Sequence, residues 1–402
     1  MKKNEQKDKN FNITNQKTKK TSKKLKLIYP IEIIEVKKQN DKKRFVDFPI
    51  KLYKKCPFFV PPLRGDELNL FNDEKNVSYE DCDVICYLAL QNKRVVGRIC
   101  GIIQKLYNLK VSEKRVRFTR FDCVNNVEVA KKLFNAVEAW AKNMGMEIVH
   151  GPLGFNDLDR EGMLIDGFDY IATFEEQYNY AYYPKLVEAC GYEKEIDWLE
   201  YKIFPPKEVN ERVDRLAEIV LKRFNLKIAH ENSKKKFLER YKQGVFDVID
   251  DAYGDLHGVV PYTDKVRKQL IDQFKLFIEL KYIIVLVDQT DKVVAFGFAL
   301  PSLSKALSNT NGKILPNALK IFKALKRPKV LDFALIGIRK EYLGKGLPAV
   351  ILRYIMEQGK ALGIEYFETN LNLEDNVNIH HQWKNFEHEQ HKRRRCYVKK
   401  LI

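Results

Sequence analysis

The feature that most constrains the fold of this 402-residue chain is an order of strands and helices that occurs twice. A hairpin, a strand, a helix ended by glycine, a strand and a helix are predicted within residues 31–203 and again within 282–401. Lys93-Arg94-Val95-Val96-Gly97 resembles Lys292-Val293-Val294-Ala295-Phe296-Gly297 as a strand that restarts after a turn. Residues 141–147 resemble 360–365 as a helix end, a glycine and a strand start. We therefore predict a tandem duplication.

The alternation of strands and helices favours an α/β or α+β architecture with two domains, 29–204 and 205–402, here called the first and second halves. No apolar run approaches the roughly 18 residues of a membrane span, and the N-terminus lacks the apolar region of a signal peptide. The seven cysteines lie mostly in apolar surroundings, and Cys82 and Cys86, the close pair, have no matching pair at zinc spacing. We expect a cytoplasmic protein with free thiols and no metal.

The net charge of +18 is unevenly distributed along the chain. Residues 1–28 contain ten lysines against Glu5 and Asp8 and have no apolar period, which predicts a disordered tail. A basic protein suits nucleic acid, an anionic membrane surface or a phosphorylated ligand such as coenzyme A. The alternative is a solubilising tail and a solvated face, and we favour neither nucleic acid nor membrane as the partner of the tail.

Residues 303–329 are an insert of the second half with the pattern of a basic amphipathic helix. One face is apolar and the other is basic; the apolar face comprises Leu315, Ala318, Leu319, Phe322 and Leu325, and the basic face Lys320, Lys323, Lys326 and Arg327. This pattern favours a surface helix that packs on the sheet, and contact with a membrane or an acyl chain is the alternative.

A strand, a basic turn and a helix follow one another in residues 335–347. Gly344 and Gly346 allow the backbone to approach a ligand closely, and the helix N-terminus directs N–H groups at an anion. Arg339 and Lys345 add positive charge. The turn is neither a P-loop nor a dinucleotide-binding fingerprint, and it suits a pyrophosphate.

In this order of elements, the turn and the following helices resemble motifs A and B of the GNAT superfamily of N-acetyltransferases. The signature Gln/Arg-x-x-Gly-x-Gly/Ala corresponds to residues 341–346, with both glycines present and Glu341 at the first position. The later Asn-x-x-Ala-x-x-Leu-Tyr segment corresponds to 376–383, where Asn376 matches. Trp383 replaces a tyrosine that often protonates the departing thiolate in that family. The resemblance covers about 282–401, and 31–203 looks like a decayed copy whose equivalent turn, 122–126, has no glycine.

The resemblance implies two GNAT-like domains in tandem, each a mixed, mostly antiparallel sheet flanked by helices. It also implies that the second half binds acyl-coenzyme A, or the pantetheine of an acyl carrier. The pyrophosphate would lie on the N–H groups of 343–347 and the pantetheine along the strand 335–338. The implied donor-binding residues are Ile336, Gly337, Ile338, Arg339, Leu343, Gly344, Lys345, Gly346, Leu347 and Asn376.

The acceptor amine, of a small molecule or a protein, must lose a proton before it attacks the thioester directly. We take Glu368 and Asp332 as candidates for this base, with Glu374 and the adjacent His380 and His381 as weaker ones; each of these residues is also compatible with a solvated position. The long loop 151–169 is rich in aspartate, and we assign Asp157 and Asp166 to acceptor binding because carboxylates attract an amine. The alternative is that these residues cap turns.

The sequence therefore predicts an N-acyltransferase of the GNAT type. One alternative is a non-catalytic module that senses acyl-coenzyme A, which the absence of the tyrosine acid favours. Another is an aminoacyl-tRNA-dependent transferase or another nucleic-acid-associated protein, which the basic tail favours.

Overall fold

The computed structural model describes residues 29–206, 211–275 and 277–401, and the predicted disordered tail lies outside them. The strands are β1 (Ile31–Glu35), β2 (Cys82–Gln91), β3 (Arg94–Gln104), β4 (Arg115–Cys123), β5 (Ile148–Gly151), β6 (Met163–Asp166), β7 (Glu193–Ile203), β8 (Lys227–Ile228), β9 (Ile283–Val287), β10 (Val293–Pro301), β11 (Val330–Ile338), β12 (Tyr366–Thr369), β13 (Asn372–Leu373) and β14 (His388–Lys400).

The helices are α1 (Gln39–Leu52), α2 (Arg64–Asn69), α3 (Lys105–Val111), α4 (Val127–Asn143), α5 (Tyr183–Glu188), α6 (Glu211–Arg223), α7 (Lys234–Tyr253), α8 (Asp264–Phe274), α9 (Ser304–Leu307), α10 (Ala318–Lys326), α11 (Leu347–Ala361) and α12 (Val377–Trp383). None of these helices is long and apolar enough to cross a membrane. All seven cysteines lie in the described residues and are free, as predicted.

The strands form one mixed sheet in the order β1-β2-β3-β4-β5-β14-β7-β12-β11-β10-β9-β8, with β6 paired to β14 and β13 to β7. Most neighbours are antiparallel, and β4–β5 and β11–β12 are parallel pairs at equivalent places in the two halves. The predicted mixed, mostly antiparallel architecture and its duplication are confirmed. The loop predicted over 151–169 contains β6, because this segment pairs with β14.

The two halves exchange their last strands. β14, from the end of the chain, pairs with β5 of the first half, and β7, from the end of the first half, pairs with β12 of the second. β7 and β14 also pair with each other, so one sheet continues through both halves. The domain boundary between residues 204 and 205 stays a prediction, and the sheet continues across it.

A glycine in each half lets one long helix, α4 in the first half and α11 in the second, lie close to the sheet. A Cβ atom on Gly97 would lie 2.7 Å from Leu133 Cδ1 of α4, and one on Gly297 would lie 2.3 Å from Ile351 Cγ2 of α11. These are the glycines that the sequence comparison aligned. Their shared role in helix packing is a structural trace of the duplication.

The insert contains α9 and α10, and α10 packs against the core of the first half through only part of its predicted apolar face. Ile321, Ala324 and Leu325 contact that core. Leu315 and Leu319 are 90% and 86% exposed. The expectation that the whole apolar face packs on the sheet is therefore wrong, and a row of large apolar side chains is left uncovered by the described residues.

Candidate active site

The candidate site lies where β11 and β12 separate. The two strands pair in parallel from Val330 with Tyr366 to Phe333 with Thr369. Beyond this point β11 continues to Ile338, while the chain after β12 turns away to form β13 beside β7. Residues of β11 and of the segment after β12 therefore face each other across an opening.

This opening is a cavity of about 550 Å³, which we call the cleft. One side is formed by β11 and the turn after it, and the other by residues 369–383. Four of the ten predicted donor-binding residues line it, namely Ile336, Ile338, Leu343 and Asn376. The cleft thus runs beside the part of β11 to which the pantetheine is predicted to bind.

The glycine turn borders the cleft at the N-terminus of α11. Gly344 and Gly346 have φ angles of +73° and +82°, which only glycine adopts readily. A Cβ atom on Gly344 would meet no other atom within 4 Å. Helix α11 starts directly after Gly346. Pro348 has no N–H and the Ala349 N–H donates to the Gly346 carbonyl oxygen, so of the first three helical residues Leu347 is the one with an N–H to offer an anion.

A second cavity, which we call the apolar cavity, has a volume of about 170 Å³. It lies among α7, α8 and β9–β11 and is lined mainly by apolar side chains; those of α7 and α8 are Phe237, Leu238, Val245, Phe246, Ile249, Leu270 and Ile271. Both cavities are lined by Phe333, Ala334, Leu335, Thr369 and Asn370. They therefore adjoin at the point where β11 and β12 separate.

Buried carboxyl groups line this junction. Asp332 is 7% exposed, and its Oδ1 makes no hydrogen bond. Burial, reinforced by the nearby Glu175 and Glu368, raises the pKa of Asp332 well above its usual value. Burial also raises the pKa of Glu176 to about 8. A ligand with a cationic group would offset the cost of ionising these carboxyls.

Asp157 lines both cavities, as its predicted role in acceptor binding requires. Its Oδ2 accepts a hydrogen bond of 2.8 Å from the Tyr262 hydroxyl, and its Oδ1 makes none. Asp166 lines neither cavity. It is exposed and accepts a hydrogen bond from the Gly167 N–H, which is the turn-capping alternative.

Comparisons with known proteins bear on the fold of the chain. No family model matches the chain. Protein YghO of Escherichia coli K12 is 26% identical over 378 residues, which cover 90% of this chain and 94% of that protein. The bacterial ceramide synthase of Caulobacter vibrioides is 26% identical over 391 residues, which cover 92% and 98%.

Among solved structures, a tandem GNAT protein from the clavulanic acid biosynthesis pathway matches with a TM-score of 0.53 and 10% identity over 93% of this chain and 99% of that chain. This chain has the tandem GNAT fold. A glucosamine N-acetyltransferase region of a fungal β-N-acetylglucosaminidase has the same TM-score and identity, over 92% of this chain and 38% of that one. The fold predicted from the glycine turn is therefore confirmed.

Four predicted donor-binding residues of this GNAT fold have packing or hydrogen-bonding roles within the protein itself. A Cβ on Gly337 would lie 2.4 Å from Phe296 Cε1, so the glycine admits that ring beneath β11. Leu347 is buried in the core, and Arg339 Nε donates to the Val293 carbonyl oxygen at 2.7 Å. Lys345 lies over the Tyr342 ring. Donor contact by these four stays a prediction.

Glu368, the other candidate base, lies in a buried ion cluster and lines neither cavity. Lys392 contacts its carboxylate and also donates to Glu200 at 3.0 Å, and His391 Nε2 lies 2.9 Å from Glu368 Oε1. Burial favours protonation, but Lys392 and His391 together hold the pKa of Glu368 below its usual value. This environment favours a permanent anion that stabilises the junction of β7, β12 and β14.

Tyr253 is a residue of the cleft that sequence reasoning missed. Its hydroxyl donates to the Ile336 carbonyl oxygen at 2.9 Å and accepts from the Ile336 N–H at 3.2 Å. It thus occupies the backbone edge of β11 that faces the cleft. Trp383, at the position of the family tyrosine, is buried and donates to Asn372 Oδ1 at 2.8 Å. Since Tyr253 is about 80 residues before β11, no local pattern indicated it.

Proposed function

We propose that this protein is an N-acyltransferase that transfers a fatty-acyl group from acyl-coenzyme A to the amine of a long-chain acceptor. The observation that carries the proposal is the junction of the open cleft with the apolar cavity at a set of buried carboxyls. A donor with a charged head and an apolar chain, and an acceptor with a cationic amine, fit these surfaces. The ceramide synthase relative supports a lipid acceptor, because its name denotes formation of a fatty amide.

In this proposal the second half binds the donor. The pyrophosphate lies on the N–H groups of Gly344, Gly346 and Leu347, since those of Leu343 and Lys345 are bonded within the turn. The pantetheine follows β11 from Ile338 to Ile336, where it displaces the Tyr253 hydroxyl from the Ile336 backbone. The thioester then reaches Ala334 and Leu335, which line both cavities. The fatty chain enters the apolar cavity, where burial of each methylene contributes about 0.8 kcal/mol.

Asp332 accepts a proton from the acceptor ammonium, and the resulting amine attacks the thioester carbonyl. The new C–N bond forms, the C–S bond breaks, and coenzyme A leaves as the thiolate. Tyr253 lines the cleft, and we assign its phenol as the acid that donates a proton to the thiolate. The nitrogen loses its second proton to the Tyr253 phenolate that remains once Tyr253 has protonated the thiolate. A cytoplasmic location, where acyl-coenzyme A is made, is part of the same proposal.

The test is an assay of the purified chain with acetyl- and palmitoyl-coenzyme A, each offered sphinganine or a short water-soluble amine. Mass spectrometry of the amide and thiol release measure the reaction. We expect palmitoyl transfer to sphinganine with kcat/KM at least tenfold above that of the other three pairs. Asp332→Asn should abolish it, and the exposed Asp166→Asn should not. Equal rates with both chain lengths would contradict the fatty-acyl assignment.

A second candidate is an acyl-coenzyme A sensor without catalysis. Trp383 in place of the family tyrosine favours it, because its indole is bonded to Asn372 and supplies no acid. Tight binding of palmitoyl-coenzyme A without thiol release, over the full range of amines, would establish this alternative and contradict the transferase proposal.

A further inference from the structure

A cluster of four potential metal ligands lies outside the residues assigned to acyl transfer. It combines His150 of β5, Glu195 of β7, His257 of the segment after α7 and Cys396 of β14. One ligand atom from each lies within 4.8 Å of all the others. The four residues come from four separate segments and from both halves, so no sequence spacing could reveal them.

The distances in the cluster match those around a tetrahedral ion. Glu195 Oε2 lies 3.2 Å from His150 Nδ1, 3.3 Å from Cys396 Sγ and 3.5 Å from His257 Nε2. A zinc ion with bonds of about 2.0–2.3 Å holds its donor atoms roughly 3.3–3.6 Å apart. His257 Nε2 is buried and makes no hydrogen bond. The nearest charged group to this nitrogen in the cluster is the Glu195 carboxylate at 3.5 Å, which is beyond a good hydrogen bond.

The charges around the cluster favour the binding of a divalent cation beside Arg115. Arg115 contacts Glu195 through one guanidinium nitrogen and Glu113 through another, and it lies 3.2 Å from His150 Nδ1. With a Cys396 thiolate, the two glutamates supply three negative charges. Arg115 and a dication balance them.

We propose that His150, Glu195, His257 and Cys396 bind a zinc ion. Two imidazoles, a thiolate and a carboxylate form a donor set that suits zinc among the common divalent metals. Four protein ligands fill a tetrahedral site, which is typical of structural zinc. The ion would thereby join the segment that contains His257 to three strands of the sheet.

This connection has a consequence for the cleft. Leu256, His257 and Val259 line it, and Arg117 already donates to the Gly258 carbonyl oxygen at 2.7 Å. The ion would fix the same segment at a second point. Metal removal is therefore expected to loosen this wall of the cleft without touching the glycine turn.

The test is metal analysis of the full chain, purified without chelator and without a polyhistidine tag. We expect about one zinc ion per chain, as for a closed structural site. Replacement by cobalt should produce the intense visible bands of tetrahedral cobalt and a near-ultraviolet thiolate-to-cobalt band. Cys396→Ser should lose the thiolate band, and His257→Ala should bind the metal at least tenfold more weakly.

Cys123→Ser is the matched control, because Cys123 is a buried thiol outside the cluster. It should keep both the zinc and the thiolate band. A chelator should lower the Tm of the wild type and of this control by more than it lowers the Tm of Cys396→Ser, which keeps only three of the four ligands. A folded wild-type chain that contains no zinc and shows no cobalt bands would overturn the proposal, as would cobalt spectra that are the same for Cys396→Ser and the control.

An independent observation concerns the exposed face of α10. Leu319 and Phe322 lie three residues apart on α10 and so share one face of the helix, and Leu315 lies in the short 3₁₀ turn just before it; the three are here called the apolar row. They are 90%, 86% and 60% exposed. The opposite side of the helix is already packed on the first half. A second element is therefore needed to cover the row.

Basic residues border the apolar row. Lys320, Lys323, Lys326 and Arg327 are all exposed. A second copy of this chain, related by a two-fold axis, would bring the same cations together, which disfavours self-association. Anionic lipid headgroups complement them, and the acyl region accepts leucine and phenylalanine. We infer that α10 lies in the headgroup region of an anionic bilayer.

Vesicle flotation of the full chain tests this second inference. We expect binding to vesicles that contain phosphatidylglycerol, and at least tenfold weaker binding for the double variant Leu319→Glu, Phe322→Glu. The control Lys305→Glu lies on α9, outside the row, and should bind like the wild type. The N-terminal lysines are present in all three proteins. Equal binding of the double variant would overturn the inference, and so would a wild-type dimer that the double variant dissociates.

Discussion

The two halves contain the same parallel strand pair, and the cavities that lie beside the two pairs differ in size. β4 and β5 pair from Arg115 to Arg117, as β11 and β12 do from Val330 to Phe333. Beyond β11 the cleft measures about 550 Å³. Beside the equivalent part of β4, the cavity lined by Thr119 measures about 20 Å³. Duplication of a backbone therefore does not by itself duplicate a binding site.

Charged side chains fill the space beside β4. Arg98 donates to Asp122 at 2.8 Å, and Arg120 donates to both oxygens of Glu67 at 3.2 Å. All four side chains are less than 15% exposed. Removing one partner of such a buried pair would leave the other charge unpaired, which is costly. These four side chains therefore keep the space beside β4 occupied.

The helix that follows each strand shows the same contrast. In the first half, Asn126 precedes α4, and its side chain accepts a hydrogen bond from the Glu128 N–H. In the second half, Gly346 precedes α11 and offers no side chain. The asparagine satisfies the N–H group of the second helical residue, whereas Pro348 holds that position in α11 and has no N–H group to satisfy.

The largest expected effect comes from Asp332→Asn. If Asp332 accepts the proton from the acceptor, kcat should fall by roughly 10²–10⁴, the range for loss of a general base. The Kd for acyl-coenzyme A should stay within about twofold, because the carboxyl does not lie on the glycine turn. Single-turnover kinetics and calorimetry measure the two quantities. A normal kcat would assign the base to another group, and Asp157→Asn would then be the next variant.

Gly344→Val is expected to weaken coenzyme A binding by more than tenfold, or more than about 1.4 kcal/mol. A valine at φ +73° is strained, and its side chain would occupy the space assigned to the pyrophosphate. The matched change in the first half, Asn125→Val, should leave binding intact. Equal losses in the two variants would contradict the assignment of the donor to the second half.

Val245→Phe should change the preference for acyl length. Val245 lines the apolar cavity and not the cleft, so a larger ring there would shorten the space for the chain. With about 0.8 kcal/mol per buried methylene, loss of two methylenes corresponds to roughly a tenfold change. Competition between palmitoyl- and octanoyl-coenzyme A measures the ratio. An unchanged ratio would place the fatty chain elsewhere.

The smallest expected effect is on how the stability of the fold depends on pH. Burial raises the pKa of Glu176 from 4.5 to about 8, although Arg394 opposes this shift. The folded chain therefore retains a proton that the unfolded chain releases above about pH 5, so this group loses its stabilising contribution as the pH rises to about 8. Glu176→Gln should flatten the fall in Tm between pH 5 and 8. A parallel fall in variant and wild type would show that Glu176 titrates normally.

The sequence alone was sufficient to predict the duplication and the glycine turn, because both depend on local patterns. Alternating strands, glycine-ended helices and a left-handed turn such as the one at Gly344 and Gly346 are encoded by neighbouring residues. For the same reason, the turn-capping alternative for Asp166 was visible before the structure. Asp332 was a candidate from its place on the strand, but its burial and its free Oδ1 were not.

The tertiary structure decided what depends on contacts between distant segments. The exchange of β7 and β14 brings Glu368 to Lys392 and makes it part of an ion cluster. Packing of α7 and α8 on β9–β11 creates the apolar cavity and places Tyr253 against Ile336. Strand pairing and burial act between residues tens to hundreds of positions apart, and a periodicity within one segment carries no information about its partner.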